Sequence, residues 1–198
     1  MLARERQAYI ADRVRQRGTV RVSDLTRELE LGEGERPLVI AEIGNNHQGS
    51  VERAKELFRA ARDAGVDAVK LQKRANRRLY TRALYESPYD NEQSFGPTYG
   101  AHREALELDA EAFGELRDHA AELGLVFFAT AFDEESADLL HELDLPAFKV
   151  ASGDLRNTPL LRHLASLGKP LVVSTGGATL EDVDRAVETI LPLNPALC

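Results

Sequence analysis

Val66-Asp67-Ala68-Val69-Lys70-Leu71-Gln72 and Pro146-Ala147-Phe148-Lys149-Val150-Ala151-Ser152 are two short apolar runs, each with a single lysine set inside it. Elsewhere the chain meets its need for positive charge with arginine, carrying five lysines against twenty arginines. Near-continuous apolar runs of this length predict strands covered on both faces, as in a parallel sheet. An ammonium buried on such a strand costs several kcal/mol unless an anion or carboxylate compensates it. Two of them therefore predict an anionic ligand at the strand ends, and a lysine head that snorkels to water is the plainer alternative. The second run leads straight into Ser152-Gly153-Asp154, which favours the functional reading.

Outward from these runs one pattern recurs: an apolar strand, a polar turn, an amphipathic helix, then glycine or aspartate before the next strand. Strands are predicted at 38–43, 66–72, 125–130, 147–151 and 170–174, with helices near 50–64, 109–123, 133–143, 159–167 and 179–191. Ser50, Asp133 and Thr179 suit N-caps, Pro159 suits a first helical turn, and Gly65, Gly124 and Gly168 suit the position just past a helix end. Five successive βα units with right-handed crossovers make a parallel α/β layer. Residues 73–108, with Pro88, Gly96, Pro97 and Gly100, form an insertion after the second strand. A stretch of that length serves as a lid or substrate wall, unless its basic run, Lys73-Arg74 and Arg77-Arg78, is simply a solvated loop.

Residues 1–36 carry a formal charge of +1 and residues 37–198 one of −9, for a total of −8. This acidity argues against a nucleic-acid-binding surface over most of the chain. A single cysteine, Cys198, allows no internal disulfide, and no apolar run approaches the roughly 20 residues that span a bilayer. A cytoplasmic protein with no membrane partner is the expectation. The leader, residues 1–36, opens like the helix-turn-helix of DeoR-type repressors, from Met1-Leu2 through Val22-Ser23 and Leu25, a similarity that runs to about residue 31. Where a recognition helix should follow, the chain has Gly32-Glu33-Gly34-Glu35-Arg36-Pro37, so base readout of DNA is not expected.

In stacked parallel βα units, ligands gather at the carboxyl ends of the strands. Those ends supply Glu42 through Gly49, then Lys70 and Gln72, then Thr130, then Lys149, Ser152 and Asp154, and finally Ser174-Thr175-Gly176-Gly177. Alternation with period 2 sends Lys70 and Gln72 to one side. Lysines act as point charges toward phosphate or carboxylate oxygens, and the Ser174 turn offers hydroxyls and N–H groups beside a helix N-terminus, if it is more than a plain loop. Glu42 and Asp154 are candidate proton carriers or orienters, and Glu42 is also placed to neutralise Lys70. The five histidines, His47, His102, His119, His141 and His163, form no close pair with metal-ligand spacing, and the last three are expected on solvent-facing helix surfaces.

Ala41-Glu42-Ile43-Gly44-Asn45-Asn46-His47-Gln48-Gly49-Ser50, Ala68 to Gln72, Phe128-Ala129-Thr130-Ala131-Phe132-Asp133, Phe148 to Asp154 and Gly168-Lys169-Pro170 through Ser174-Thr175-Gly176 together resemble the N-acetylneuraminate (sialic acid) synthase family. The resemblance covers about residues 37–198. It implies an incomplete TIM (β/α) barrel of about five parallel βα units, preceded by the short helical leader. The activity implied is condensation of phosphoenolpyruvate with an N-acylated mannosamine to a nonulosonic acid, with release of phosphate; the alternatives are another phosphoenolpyruvate-using nonulosonic acid synthase, or a non-catalytic remnant or sugar-sensing regulator. By that resemblance Lys70, Thr130, Lys149, Ser152 and Ser174 match phosphoenolpyruvate-binding positions, and Glu42 matches the carboxylate at the reacting centre. Gln72 and Asp154 match the aminosugar side, Asp154 standing where many members carry glutamate. A divalent metal, manganese or magnesium, and a homodimer are also implied. A full barrel takes eight units and about 250 residues, and the family's two metal-binding histidines follow the sixth strand. The chain is therefore expected to be an N-terminal part of such an enzyme, without metal ligands and inactive by itself.

Overall fold

The computed structural model describes residues 38–194; the leader, and the helix-turn-helix-like opening expected in it, lie outside the described residues. Five strands, β1 (Ile40–Gly44), β2 (Ala68–Lys73), β3 (Val126–Ala131), β4 (Phe148–Val150) and β5 (Leu171–Val173), form one sheet in the order β1-β2-β3-β4-β5. Every neighbouring pair is parallel. A doubly wound sheet would reverse its strand order at a switch point. Sequential order without reversal is the arrangement of five consecutive units of a (β/α) barrel.

Period-2 alternation divides each strand between two environments. Ala41, Ile43, Val69, Leu71, Phe127, Ala129, Ala131, Phe148, Val150, Leu171 and Val173 pack into the apolar core under the helices. The residues between them, Glu42, Lys70, Gln72, Phe128, Thr130, Lys149 and Val172, turn to the opposite, inner face. Apolar packing against the helices is what pins this register, because a slip of one residue would put Lys70 and Lys149 into that core. A cluster of three rings, Phe58, Phe113 and Phe127, with centroids 5.4 and 5.9 Å apart, binds the helical layer to β3. Truncating Phe127 to alanine should cost about 3–5 kcal/mol.

The main helices are α1 (Val51–Asp63), α5 (Ala110–Glu122), α6 (Glu134–Glu142), α7 (Thr158–Ser166) and α8 (Leu180–Ile190). Ser50, Asp133 and Thr179 cap α1, α6 and α8 through their side chains, and Pro159 lies in the first turn of α7 behind its N-cap Asn157. Gly65, Gly124 and Gly168 follow the C-caps of α1, α5 and α7 with φ of +80°, +69° and +71°, a region that costs other residues free energy. No helix among the described residues is long and apolar enough to cross a membrane.

The insertion after β2 departs from the irregular loop expected of it. It contains three short helices, α2 (Asn76–Leu79), α3 (Arg82–Tyr85) and α4 (Tyr99–Leu106). Thr81 and Thr98 cap α3 and α4, accepting from the N–H groups of Leu84 and Ala101. Tyr99 packs edge-on against both Tyr80 and Tyr89, at 5.1 and 5.5 Å. The two four-residue helices, α2 and α3, carry no readable hydrophobic period, which is why the pattern alone does not reveal them.

Candidate active site

Lys70 is 2% exposed on the inner face of β2. Its Nζ donates to Thr130 Oγ1 at 3.0 Å and to the Leu71 carbonyl at 3.2 Å, and lies 3.0 Å from Glu42 Oε2. The parallel register explains the convergence, since Glu42 aligns with Lys70, and Thr130 aligns with Gln72 on one side and Lys149 on the other. Glu42 thus does form the ion pair anticipated for it, while its own side chain stays 59% exposed and open to a substrate.

Lys149 sits on the same face, two strands along. Its Nζ donates to Ser174 Oγ at 2.5 Å and to the Val150 carbonyl at 2.6 Å. Burial lowers its pKa from the usual lysine value; the Glu42 carboxylate partly opposes that and the Lys70 charge adds to it. Lys55, Lys70, Lys73 and Lys169 each pair with a carboxylate, those of Glu115, Glu42, Glu107 and Asp144. Lys149 has no carboxylate within ion-pair distance among the described residues. Two cations therefore share one half-committed anion on the inner face, and the imbalance favours an anionic ligand.

Ser152 and Asp154 belong to a single 3₁₀ turn, Ser152–Asp154, directly after β4. A Cβ added to Gly176 would come 3.6 Å from Ser152 Oγ, so the β4 and β5 ends meet here. The Ser174 turn does not itself cap α8. Thr179 and Asp182 do so with a reciprocal capping box, leaving Ser174 as the group of that turn engaged with Lys149. Asp154 is half-buried and its pKa is raised by burial, against the hydrogen bond from Asn157 and the nearby Arg74 cation. A raised carboxyl is suited to holding or passing a proton.

Gln72 lies one alternation beyond Lys70, and its Oε1 accepts from Arg74 Nη2 at 2.8 Å. Arg74 was legible in the sequence only as part of a basic run. Here it is 8% exposed, stacked 3.8 Å from the Phe132 ring centroid, and faced by Glu107. Glu107 carries no such signal in the sequence, although its carboxylate joins Lys73, the Arg74 backbone N–H and the Arg74 guanidinium. Burial raises its pKa in spite of those partners. Nothing local in Leu106-Glu107-Leu108 signals this, because the contact spans more than thirty residues of chain.

His47 is buried, accepts from the Gly49 N–H at Nδ1, and has its pKa lowered to about 4 by burial. It shapes the β1 loop. Gly49, at φ +77°, passes so near α4 that a Cβ would lie 2.2 Å from the Ala105 carbonyl oxygen. His119, expected on a solvent-facing surface, is instead half-buried beside Glu122. Among the described residues no three His, Cys, Asp or Glu side chains come together as a metal ion would require. The described donor set therefore does not fit the divalent metal that the family resemblance implies.

Parallel (β/α) units in sequential order with strand lysines and hydroxyls on the inner face define an α/β barrel-type protein with an anion-receptive rim. Residues 57–196 match the NeuB family, and the chain belongs to that family. It is 40% identical over 166 residues to an N-acetylneuraminate-9-phosphate synthase of Homo sapiens, a match covering 83% of this chain and 46% of that protein. To an N,N'-diacetyllegionaminic acid synthase of Legionella pneumophila it is 39% identical over 155 residues, covering 78% of this chain and 44% of the relative. A crystal structure of an N-acetylneuraminic acid synthetase from Leptospira borgpetersenii superposes with a TM-score of 0.69 at 26% identity, over 81% of this chain and 52% of that one. The chain spans about half the length of the relatives it matches.

Proposed function

We propose that the inner face binds phosphoenolpyruvate and that the protein serves the synthesis of a nonulosonic acid, joining phosphoenolpyruvate to an N-acylated aminosugar with release of phosphate. The observation that carries this reading is the charge imbalance on the inner face: Lys70 and Lys149 converge there with Glu42 as their shared carboxylate, and Lys149 lacks an ion-pair partner of its own among the described residues. Ligand phosphate and carboxylate oxygens complete that set. Membership of the NeuB family and the synthase activities of the relatives support the same class of reaction.

In this reading Lys70 and Lys149 hold the phosphate and carboxylate, and the hydroxyls of Thr130, Ser152 and Ser174 supply further hydrogen bonds at the same rim. Catalysis by such groups is positioning plus electrostatic stabilisation. Carbon 3 of phosphoenolpyruvate bonds to the aldehyde carbon of the sugar, water adds at carbon 2, and the carbon–oxygen bond to phosphate breaks. Glu42, exposed beside Lys70, is placed to move a proton to or from the added water or the new hydroxyl, and Gln72 and Asp154 line the aminosugar side. A manganese or magnesium ion, when bound, would polarise the aldehyde; the described residues offer no centre for it, and no step here is assigned to it. A homodimer and a cytoplasmic location complete the proposal.

Calorimetric titration of phosphoenolpyruvate tests the binding step. Saturable binding that Lys149→Ala weakens at least tenfold supports the reading, and unchanged affinity in that variant sinks it. Phosphate release measured with N-acetylmannosamine and manganese separates catalysis from ligand sensing.

A further inference from the structure

We propose that Arg74 is a positioning residue that locks the Gln72 carboxamide with its NH₂ group turned to the rim, so that the site reads an oxygen acceptor on the aminosugar. The inference deepens the functional reading above and rests on it. Gln72 Oε1 accepts from Arg74 Nη2 at 2.8 Å. A guanidinium has five donors and no acceptor, so only the oxygen of the amide can face it. A carboxamide without such a neighbour can present either end by a half-turn. Here the partner's chemistry decides, and the NH₂ group takes the other end of the carboxamide. A Cβ placed on Gly44 would lie 3.8 Å from Gln72 Nε2, which puts the NH₂ group over the end of β1, just past Glu42.

Arg74 is itself tightly held. Its guanidinium carbon lies 3.8 Å from the Phe132 ring centroid, and its backbone N–H donates to Glu107 Oε2 at 3.3 Å. Glu107 Oε1 lies 3.8 Å from Nη1. Asp133 then ties the following residue to the start of α6, accepting from the N–H groups of Ala75 at 2.8 Å and Ser136 at 2.7 Å. Nη1 is buried without a hydrogen-bond partner among the described residues, so the Gln72 bond is the side-chain hydrogen bond that fixes the rotation of the fork. The same cation favours the ionised form of Asp154, the other residue assigned to the aminosugar side. Arg74 thus stands beside both groups.

The test uses three variants, with N-acetylmannosamine titrated by ligand-observed NMR in the presence of phosphoenolpyruvate and the Gln72 side-chain amide followed by ¹⁵N–¹H NMR. Arg74→Met keeps an apolar contact with Phe132 and removes the donor. It should weaken the sugar about three- to tenfold, double or broaden the Gln72 amide signals, and leave phosphoenolpyruvate affinity unchanged. Arg74→Lys, also a donor without acceptors, should restore both sugar affinity and a single amide environment, which a purely structural role does not require. Gln72→Glu keeps the bond to Arg74 but offers no donor to the rim, and it should lose sugar binding even if Arg74→Met does not fold. Wild-type sugar affinity in Arg74→Met with unchanged amide signals, or in Gln72→Glu, overturns the inference and leaves the functional reading standing. A wild-type protein that binds phosphoenolpyruvate but no aminosugar also overturns it. If the wild-type protein binds neither, the functional reading falls together with the substrate half of this proposal, and the Gln72 amide signals alone decide the locking half.

Discussion

Lys70 and Lys149 occupy equivalent places on β2 and β4, and their surroundings differ in a way that separates structure from readiness to bind. Lys70 is sealed among Thr130, the Leu71 carbonyl and Glu42, so its charge is answered from within the fold. Lys149 has a serine hydroxyl and a carbonyl, both neutral, and burial lowers its pKa. Neutral acceptors satisfy an ammonium's geometry without cancelling its charge. The first lysine organises the inner face, and the second leaves it short of one negative charge.

Removing either lysine is the strongest way to break this comparison. Lys70→Met and Lys149→Met should each cost about 2–5 kcal/mol of phosphoenolpyruvate affinity, the range for truncating one partner of a desolvated charge pair. Calorimetry reads the affinities, and circular dichroism checks that each variant folds. The pair of results sharpens the contrast, because Lys70→Met should also change thermal stability by releasing Glu42 and Thr130, while Lys149→Met should lower affinity with little change in melting.

Proton linkage gives the next largest effect. In the free protein Lys149 loses its proton at lower pH than an ordinary lysine. Across the window from that lowered value up to the ordinary one, the unfolded chain holds the extra proton, so stability rises with pH there. A bound anion favours the charged form and moves the pKa back up. Binding in that window should therefore take up a fraction of a proton, and affinity should fall as pH rises through it. Titrations in two buffers of different ionisation heat measure the uptake. An uptake that persists in Lys149→Met would assign it to another group.

Much of this was legible in the chain because it depends on local rules. Val69 and Leu71 against Lys70 and Gln72 expose the period of 2, and Ser50, Asp133 and Thr179 mark helix starts by hydroxyl or carboxylate chemistry that acts within three residues. The strand lysines were legible for a different reason: an expensive group in an apolar run needs an explanation. The missing parts are those set by distant contacts. Arg74 and Glu107 look like ordinary surface charges until the fold brings α4 beside the end of β2, and His47 looks like a loop histidine although it is buried. Of the short helices, α3 is held by its Thr81 cap and α2 by the ring contact of Tyr80 at its end, with no stripe of their own to read.

The smallest predicted effect separates the two lysines by their hydroxyl partners. Thr130 is buried and gives Lys70 an acceptor that water cannot replace, whereas Ser174 lies at the partly exposed end of β5. Thr130→Val keeps the shape of the side chain and removes the oxygen, leaving the ammonium with the Leu71 carbonyl and Glu42. Hydrogen bonds to charged groups contribute about 1.5–3 kcal/mol, so urea denaturation should show a loss in that range with an unchanged m-value. Ser174→Ala lets water reach Lys149 in place of the hydroxyl and should cost only about 0.5–1 kcal/mol, nearer the value for an ordinary hydrogen bond. Phosphoenolpyruvate should widen the gap, because its oxygens can take the place of the Ser174 hydroxyl on Lys149 and leave Thr130 where it is. Saturating ligand should then stabilise Ser174→Ala at least as strongly as the wild-type protein and leave the Thr130→Val deficit in place. Equal losses in the two variants without ligand would mean that the lysines are sealed alike, and the distinction between an internal and an unanswered charge would fail.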